Sequence, residues 1–530
     1  MTDSAASLKL LDLYPTRGLY KPGEMVRCIL ECEALNASSV DFTLTFSHGP
    51  NTIKTRSETH SLNAGSNQVD FSWLPPLEAP AGYGVEISCQ TDHASRLTIQ
   101  TAFDVLPSWT SFPRYGYLTD FSTSRQDEKA AMQGLAKFHI NGLQFYDWQY
   151  RHDQLVAPSI EYFDPLGRPL SLEAITRLIK AAHEHGMTAM PYLAVYAASA
   201  DFWRSHPDWQ LYDQDHKPIP FGEDFLGIMN PADGTSWQKH LLEQCDQVLQ
   251  SLPFDGLHVD QYGDPKTGFD ASSQPVDIAK AFGDFIKAAA WRHPDRPVLF
   301  NAVGNWPIET LAAAPVAFNY IEIWPPDIQY IDLARIVRNA RHLSGEKPVV
   351  IALYMPAERE VNHLLADAII LSAGGNRIEI GENARLLTDP YFPKHEAISE
   401  SLMASLRSSA DFAVRYEEWI GPLKTESSAP DLKLPDGVEA FYRKVKSGAS
   451  LSLVNLKAEE PLCWNTGHAR PGVFEALVLE IPLEFVPQKV WLLEPYVSSS
   501  PQHLGHHLNG DKVSVVVPNL DLWNVLLFER

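Results

Sequence analysis

Asp260 and Glu322 lie at or near the ends of two short apolar runs, FDGLHVD (254–260) and AFNYIEIW (317–324). Cleaving an acetal takes two carboxyls, one on each side of the scissile bond. Acids at strand ends of one parallel barrel project from its C-terminal face, where reacting groups of such folds gather. The structural alternative for either acid is a strand-end carboxylate that caps a helix or pairs with a base. Asp255 and Asp264 flank the first run and read as turn residues.

These two runs belong to a set of eight candidate strands: 115–121, 142–148, 188–196, 255–260, 297–304, 318–324, 348–355 and 376–382. Amphipathic segments separate them. In SLEAITRLIKAAHEHG (171–186), Leu172, Ile175, Leu178, Ile179 and Ala182 keep helical spacing and Gly186 supplies the stop. The pattern predicts a (β/α)8 barrel over 109–425. An open doubly wound sheet is disfavoured by the strand count and by the lack of a glycine-rich phosphate loop. The longest gap, 197–254, begins with an aromatic and polar stretch expected to fold over the barrel mouth.

On either side the chain turns β-rich. Runs such as MVRCILECEAL and VDFTLTFSH, broken by KPGE, SHGPN and NAGSN, predict an immunoglobulin-like sandwich over 1–108. Runs such as VEAFYRKV, KVWLLEPY and WNVLLFER predict an antiparallel sandwich over 426–530. A chain of 530 residues is long enough for two or three domains with a core in each.

A net charge of −23 argues against nucleic acid or an anionic membrane surface as partner and is compatible with a neutral sugar. Five scattered cysteines read as reduced thiols. The opening MTDSAASLKLLDLY lacks a basic segment followed by an apolar one, so a cytoplasmic location is expected, though a chain trimmed of a leader would read the same. His183, His185, His206 and His258 form no metal signature, and neither metal nor cofactor is expected.

QFYDWQYRH (144–152), FDGLHVDQYGD (254–264), LFNAVGNW (299–306), YIEIW (320–324), GENARLL with the later YFP (381–393) and DFAVRYEEW (411–419) occur in one order along the chain. In this the sequence resembles glycoside hydrolase family 66, the dextranases and cycloisomaltooligosaccharide glucanotransferases. The resemblance covers the barrel and both flanking domains. It implies a retaining mechanism on α-1,6-linked glucose, with Asp260 as nucleophile and Glu322 as general acid/base. Glu322 must be protonated near neutral pH, and its apolar neighbours in sequence, Ile321, Ile323 and Trp324, raise its pKa if they face it; strand alternation leaves open that they point away.

The same resemblance makes Asp147 and Trp148 candidates for the −1 subsite, with Tyr150 and His152 behind. Further substrate-binding candidates at strand ends are Tyr115, Asp120, Tyr192, Asn301, Trp306, Trp324, Tyr354, Glu382 and Asn383. For Trp148 the structural alternative is barrel packing. The expected substrate is dextran or an isomaltooligosaccharide; the sequence leaves the oligomeric state open.

Between hydrolysis and transfer, one departure guides the expectation. Cyclising members of the family carry a carbohydrate-binding module between the seventh and eighth strands, where this chain has only a helix-like segment around AEREVNHLLADAIILSAGG. Endo-hydrolysis is therefore expected, with cyclising transfer or action on another intracellular α-glucan as alternatives. A catalytically dead glucan-binding protein is disfavoured by the intact acid pair.

Overall fold

The computed structural model describes residues 8–90, 96–378, 380–390, 394–421 and 432–530. The first seven residues, the YFP segment at 391–393, Glu379 within the last expected strand and the expected boundary near 426 lie outside the described residues.

Eight parallel strands run in chain order through one curled sheet of eleven. They are β1 (Tyr115–Leu118), β2 (Gly142–Phe145), β3 (Thr188–Ala194), β4 (Leu257–Asp260), β5 (Val298–Val303), β6 (Asn319–Glu322), β7 (Val349–Ala352) and β8 (Asn376–Ile378). β8 pairs with β7 through Val350–Asn376, and three residues past its end Gly381 pairs with Tyr117 of β1. First and last strands therefore meet. Most strands stop two or three residues earlier than the apolar runs suggest, so Asp120, Trp148, Trp324 and Tyr354 fall in the loops that follow.

Helices fill the intervals for the reasons their sequences give. Leu172–Glu184 buries Ala174, Ile175, Leu178, Ile179, Ala181 and Ala182 along one stripe, and the Ser171 hydroxyl accepts from the Ala174 amide at its start. It ends at Gly186, whose φ of 69° suits a residue without a Cβ. Thr235, Asp277 and Ser399 cap the helices Ser236–Ser251, Ile278–Arg292 and Glu400–Arg415 in the same way.

Alternation along the strands sorts the side chains into two layers. Leu257, Val259, Phe300 and Ile321 pack outward against the helices. Tyr115, Met190, Leu299, Tyr320, Val350, Ala352 and Ile378 pack together inside the sheet. His258 joins this inner layer, its ring stacked on Tyr115 and edge-on to Tyr320. The inner layer forms a filled floor, and the next inward positions on β4, β5 and β6 are Asp260, Asn301 and Glu322.

Before β1 lie a three-stranded and a four-stranded antiparallel sheet, built from strands between Leu8 and Val105 around their own core. After residue 432 a five-stranded and a three-stranded sheet enclose another core. All five cysteines are free thiols.

Candidate active site

Asp260 and Glu322 meet at the C-terminal ends of β4 and β6, joined by Asn301 on the strand between. One Asn301 amide nitrogen donates to Asp260 Oδ1 at 2.8 Å and to Glu322 Oε2 at 2.7 Å. Those two oxygens are no farther apart than the two bonds end to end, about 5.5 Å, a ceiling below the ~6.5–9.5 Å of inverting glycosidases and consistent with the ~5–5.5 Å of retaining ones.

Each acid has its own further donors. Tyr192 Oη donates to Asp260 Oδ2 at 3.0 Å, and Trp324 Nε1 donates to Glu322 Oε1 at 2.6 Å. Burial pushes Asp260 up to about 6 against the pull of Asn301, Tyr192 and the Gln261 amide. Burial pushes Glu322 up to about 7, and the neighbouring Asp260 charge adds to it, while Asn301, Trp324 and Tyr354 pull down. The sequence neighbours of Glu322 are not the cause: Ile321 and Ile323 face the outer layer, away from the carboxyl, and Trp324 contributes a donor. The isolation comes from the filled interior, not from sequence neighbours.

A cavity of about 410 Å³ opens above the pair. Tyr146, Asp147, Tyr192, Tyr262 and Trp324 line it together with both acids. The Tyr146 and Tyr192 rings stack at 5.5 Å, and flat aromatic walls of this kind suit the C–H face of a pyranose. Asp147 has a φ of 49°, and its carboxyl lies 3.9 Å from Arg168. Burial pushes it up to about 6 despite that guanidinium. His152 also lines the cavity, and burial holds its imidazole down at about 4, so it stays neutral above that pH. The aromatic stretch after β3 supplies Phe221, Phe225 and Leu226 to the wall, with Phe221 stacked on Tyr262 at 4.2 Å.

Several candidates lie elsewhere. Trp148 is fully buried, packs against Phe254 and donates its indole N–H to the Tyr192 carbonyl; it is a packing residue because the chain turns at Asp147 and carries the ring behind the sheet. Tyr115 opens β1 instead of closing it, in the floor, where its hydroxyl meets His258 Nδ1 at 3.0 Å. Tyr150 packs edge-on to Tyr162 and carries Arg151 over its ring. Asp120 is exposed and caps a turn through the Ser122 amide. Glu382 is buried, ion-paired with Arg125 and bonded to the amides of Thr119 and Asp120, tying the end of the sheet to its beginning. Asn383 sits next to it in a left-handed turn at φ 58°. Trp306 stands edge-on to Phe282, outside the cavity lining. Tyr354 is placed beside Trp324, at 6.1 Å between rings, and reaches Glu322.

Sequence reasoning missed Tyr146 and Tyr262 in the wall. Both stand inside quoted motifs, QFYDW and DQYGD, Tyr146 next to Asp147 and Tyr262 two positions after Asp260. Asp164, held by Arg168 and by the amides of Leu166 and Arg168, had no signal of its own.

The Glycosyl hydrolase family 66 model matches residues 16–527. The chain belongs to glycoside hydrolase family 66. Two cycloisomaltooligosaccharide glucanotransferases of Niallia circulans resemble it. One is 27% identical over 446 residues, covering 78% of this chain and 46% of the relative. The other is 28% identical over 373 residues, covering 65% and 38%. The chain thus spans less than half the length of each of these two relatives. In structure this family 66 chain is similar to a Paenibacillus cycloisomaltooligosaccharide glucanotransferase complexed with cycloisomaltoheptaose, with a TM-score of 0.90 at 20% identity over 98% of this chain and 100% of that one. It shares that fold. A maltogenic α-amylase from Thermotoga neapolitana is a more distant likeness, with a TM-score of 0.52 at 12% identity over 78% of this chain and 98% of that one.

Proposed function

We propose that this enzyme cleaves α-1,6-glucosidic bonds of a glucan in two displacements with net retention and hands the glucosyl group to another sugar hydroxyl, closing a ring when that hydroxyl belongs to the same chain. The observation that carries the retaining step is the spacing imposed by Asn301 on Asp260 and Glu322. In the first displacement an Asp260 oxygen bonds to the anomeric carbon while Glu322 gives its proton to the departing glycosidic oxygen. In the second, Glu322 as carboxylate takes the proton of an incoming hydroxyl, that oxygen bonds to the same carbon, and Asp260 is released as carboxylate. Asp147, beside Arg168, holds hydroxyls of the bound glucose, and Tyr146 and Tyr192 form its wall.

The frame of this reading is a (β/α)8 barrel over 109–425 between an immunoglobulin-like sandwich, 1–108, and an antiparallel sandwich, 426–530. Transfer has better support than the hydrolysis expected from the sequence, because both curated relatives and the solved structure of like fold are cyclising glucanotransferases. One observation favours hydrolysis as the second reading: β7 and β8 are joined through the single helix Glu360–Ser372, with no inserted module to hold an acceptor arm. An intramolecular end competes with water only when binding raises its effective concentration. Incubation with dextran, followed by mass analysis of the oligosaccharides, separates the two. Products one water lighter than linear isomaltooligosaccharides support cyclising transfer; exclusively linear short products from the first minutes onward support hydrolysis.

A further inference from the structure

Asn301 occupies an unusual place for a substrate-binding side chain. It is 3% exposed, contributes nothing to the cavity lining and spends its amide nitrogen on the two acids. One carboxyl of the pair is ionised in each working state and can only accept, so the NH₂ end serves it; the carbonyl end would face that acceptor with nothing to offer. The strand order fixes this placement. β5 lies between β4 and β6, with Phe300 level with Val259 and Val303 level with Glu322. Asn301 is therefore the inward residue next to both acids.

Resting on the double-displacement reading above, we propose that Asn301 is a positioning residue that serves both halves of the reaction by donating one N–H to each site where the negative charge resides. The charge is on Asp260 before the first displacement. When Asp260 becomes an ester and Glu322 has given up its proton, the charge is on Glu322. A single amide already bonded to both oxygens follows that transfer with no change of rotamer, and donors fixed before charge arrives are the effective kind. The same amide keeps the two carboxyls at the spacing retention needs.

The other ionisable groups around the pair do not share this duty. Tyr146 and Asp147 face it from the loop after β2, Tyr192 from β3, Tyr262 from the loop after β4, Tyr320 from β6 and Tyr354 from the loop after β7. The five tyrosines are all held well above their ordinary range by burial and remain neutral. Among the hydrogen bonds of the described residues, Asn301 alone donates to both acids.

Asn301→Ala and the isosteric Asn301→Asp test the proposal, with kcat/KM measured against pH on a linear isomaltooligosaccharide, whose poor leaving group keeps the Glu322 limb in view, and melting temperature measured beside it. Removing a donor that favours both carboxylates raises both acids, so each limb of the profile should move to higher pH while the rate falls about 10²-fold. Asn301→Asp adds a negative charge between the acids and should move the profile farther. If Asn301→Ala fails to fold, the isosteric variant still gives the reading. Folded variants that lose activity on an unmoved profile, or that stay within about twofold of wild type, overturn the positioning role. Labelling the unmodified enzyme with a fluorinated glucosyl fluoride, with the modified peptide found by mass spectrometry, separates this failure from that of the mechanism beneath it. Ester at Asp260 supports the frame; label elsewhere overturns both.

Discussion

Asp260 and Glu322 accept hydrogen bonds from the same nitrogen, at 2.8 and 2.7 Å, although 62 positions of chain separate them. Two buried carboxyls this close cannot both ionise readily, so one proton is shared between them near neutrality. That is the starting state a double displacement requires.

The pH profile should therefore be narrow and bell-shaped. Below about 6 the Asp260 side of the pair carries a proton and cannot attack; above about 7 the Glu322 side has lost the proton it must donate. The two limbs belong to the pair as a unit. Steady-state kcat/KM across pH 4–9 checks this, and a rate that keeps rising to pH 9 would count against Glu322 as acid.

Asp260→Gly should abolish turnover while the fold persists, because the covalent step loses its oxygen and little packing changes at the end of β4. Azide added to this variant should restore cleavage of an activated α-glucosyl substrate. Turnover near that of wild type would take Asp260 out of the mechanism.

Glu322→Gln should slow natural glucans far more than substrates with good leaving groups. General-acid assistance is worth about 10²–10⁴ in rate and matters only when the leaving oxygen is a poor one. Equal losses on isomaltooligosaccharides and on aryl glucosides would sink the assignment.

Trp148→Ala should act on stability and leave chemistry alone. The indole is fully buried against Phe254, and truncating a large core aromatic costs about 3–5 kcal/mol. Melting temperature should fall by many degrees, with the folded fraction keeping its KM; a large rise in KM at unchanged stability would return Trp148 to the binding site.

The contrast between Trp148 and Asp147 marks what the sequence made legible. Strand count, the acid pair and the motifs carrying them could be read because alternation and helical spacing repeat along the chain. Which way the chain turns after a strand could not. Asp147 adopts a φ of 49°, and that one backbone choice sends its carboxyl into the cavity and the next ring behind the sheet. Tyr115 was misplaced for a related reason: β1 is only four residues long, so its first aromatic is floor and not rim. Glu382 looked like a rim acid, but its partner Arg125 comes from a segment 257 positions earlier, a contact no local pattern announces.

The central claim is that Asp260 and Glu322 work at retaining distance through a glucosyl-enzyme. Proton NMR of the first sugar released from an α-1,6-linked substrate, recorded before mutarotation, reads this directly. The account predicts the α-anomer as the initial product; a β-anomer appearing first would mean a single inverting displacement and would contradict it.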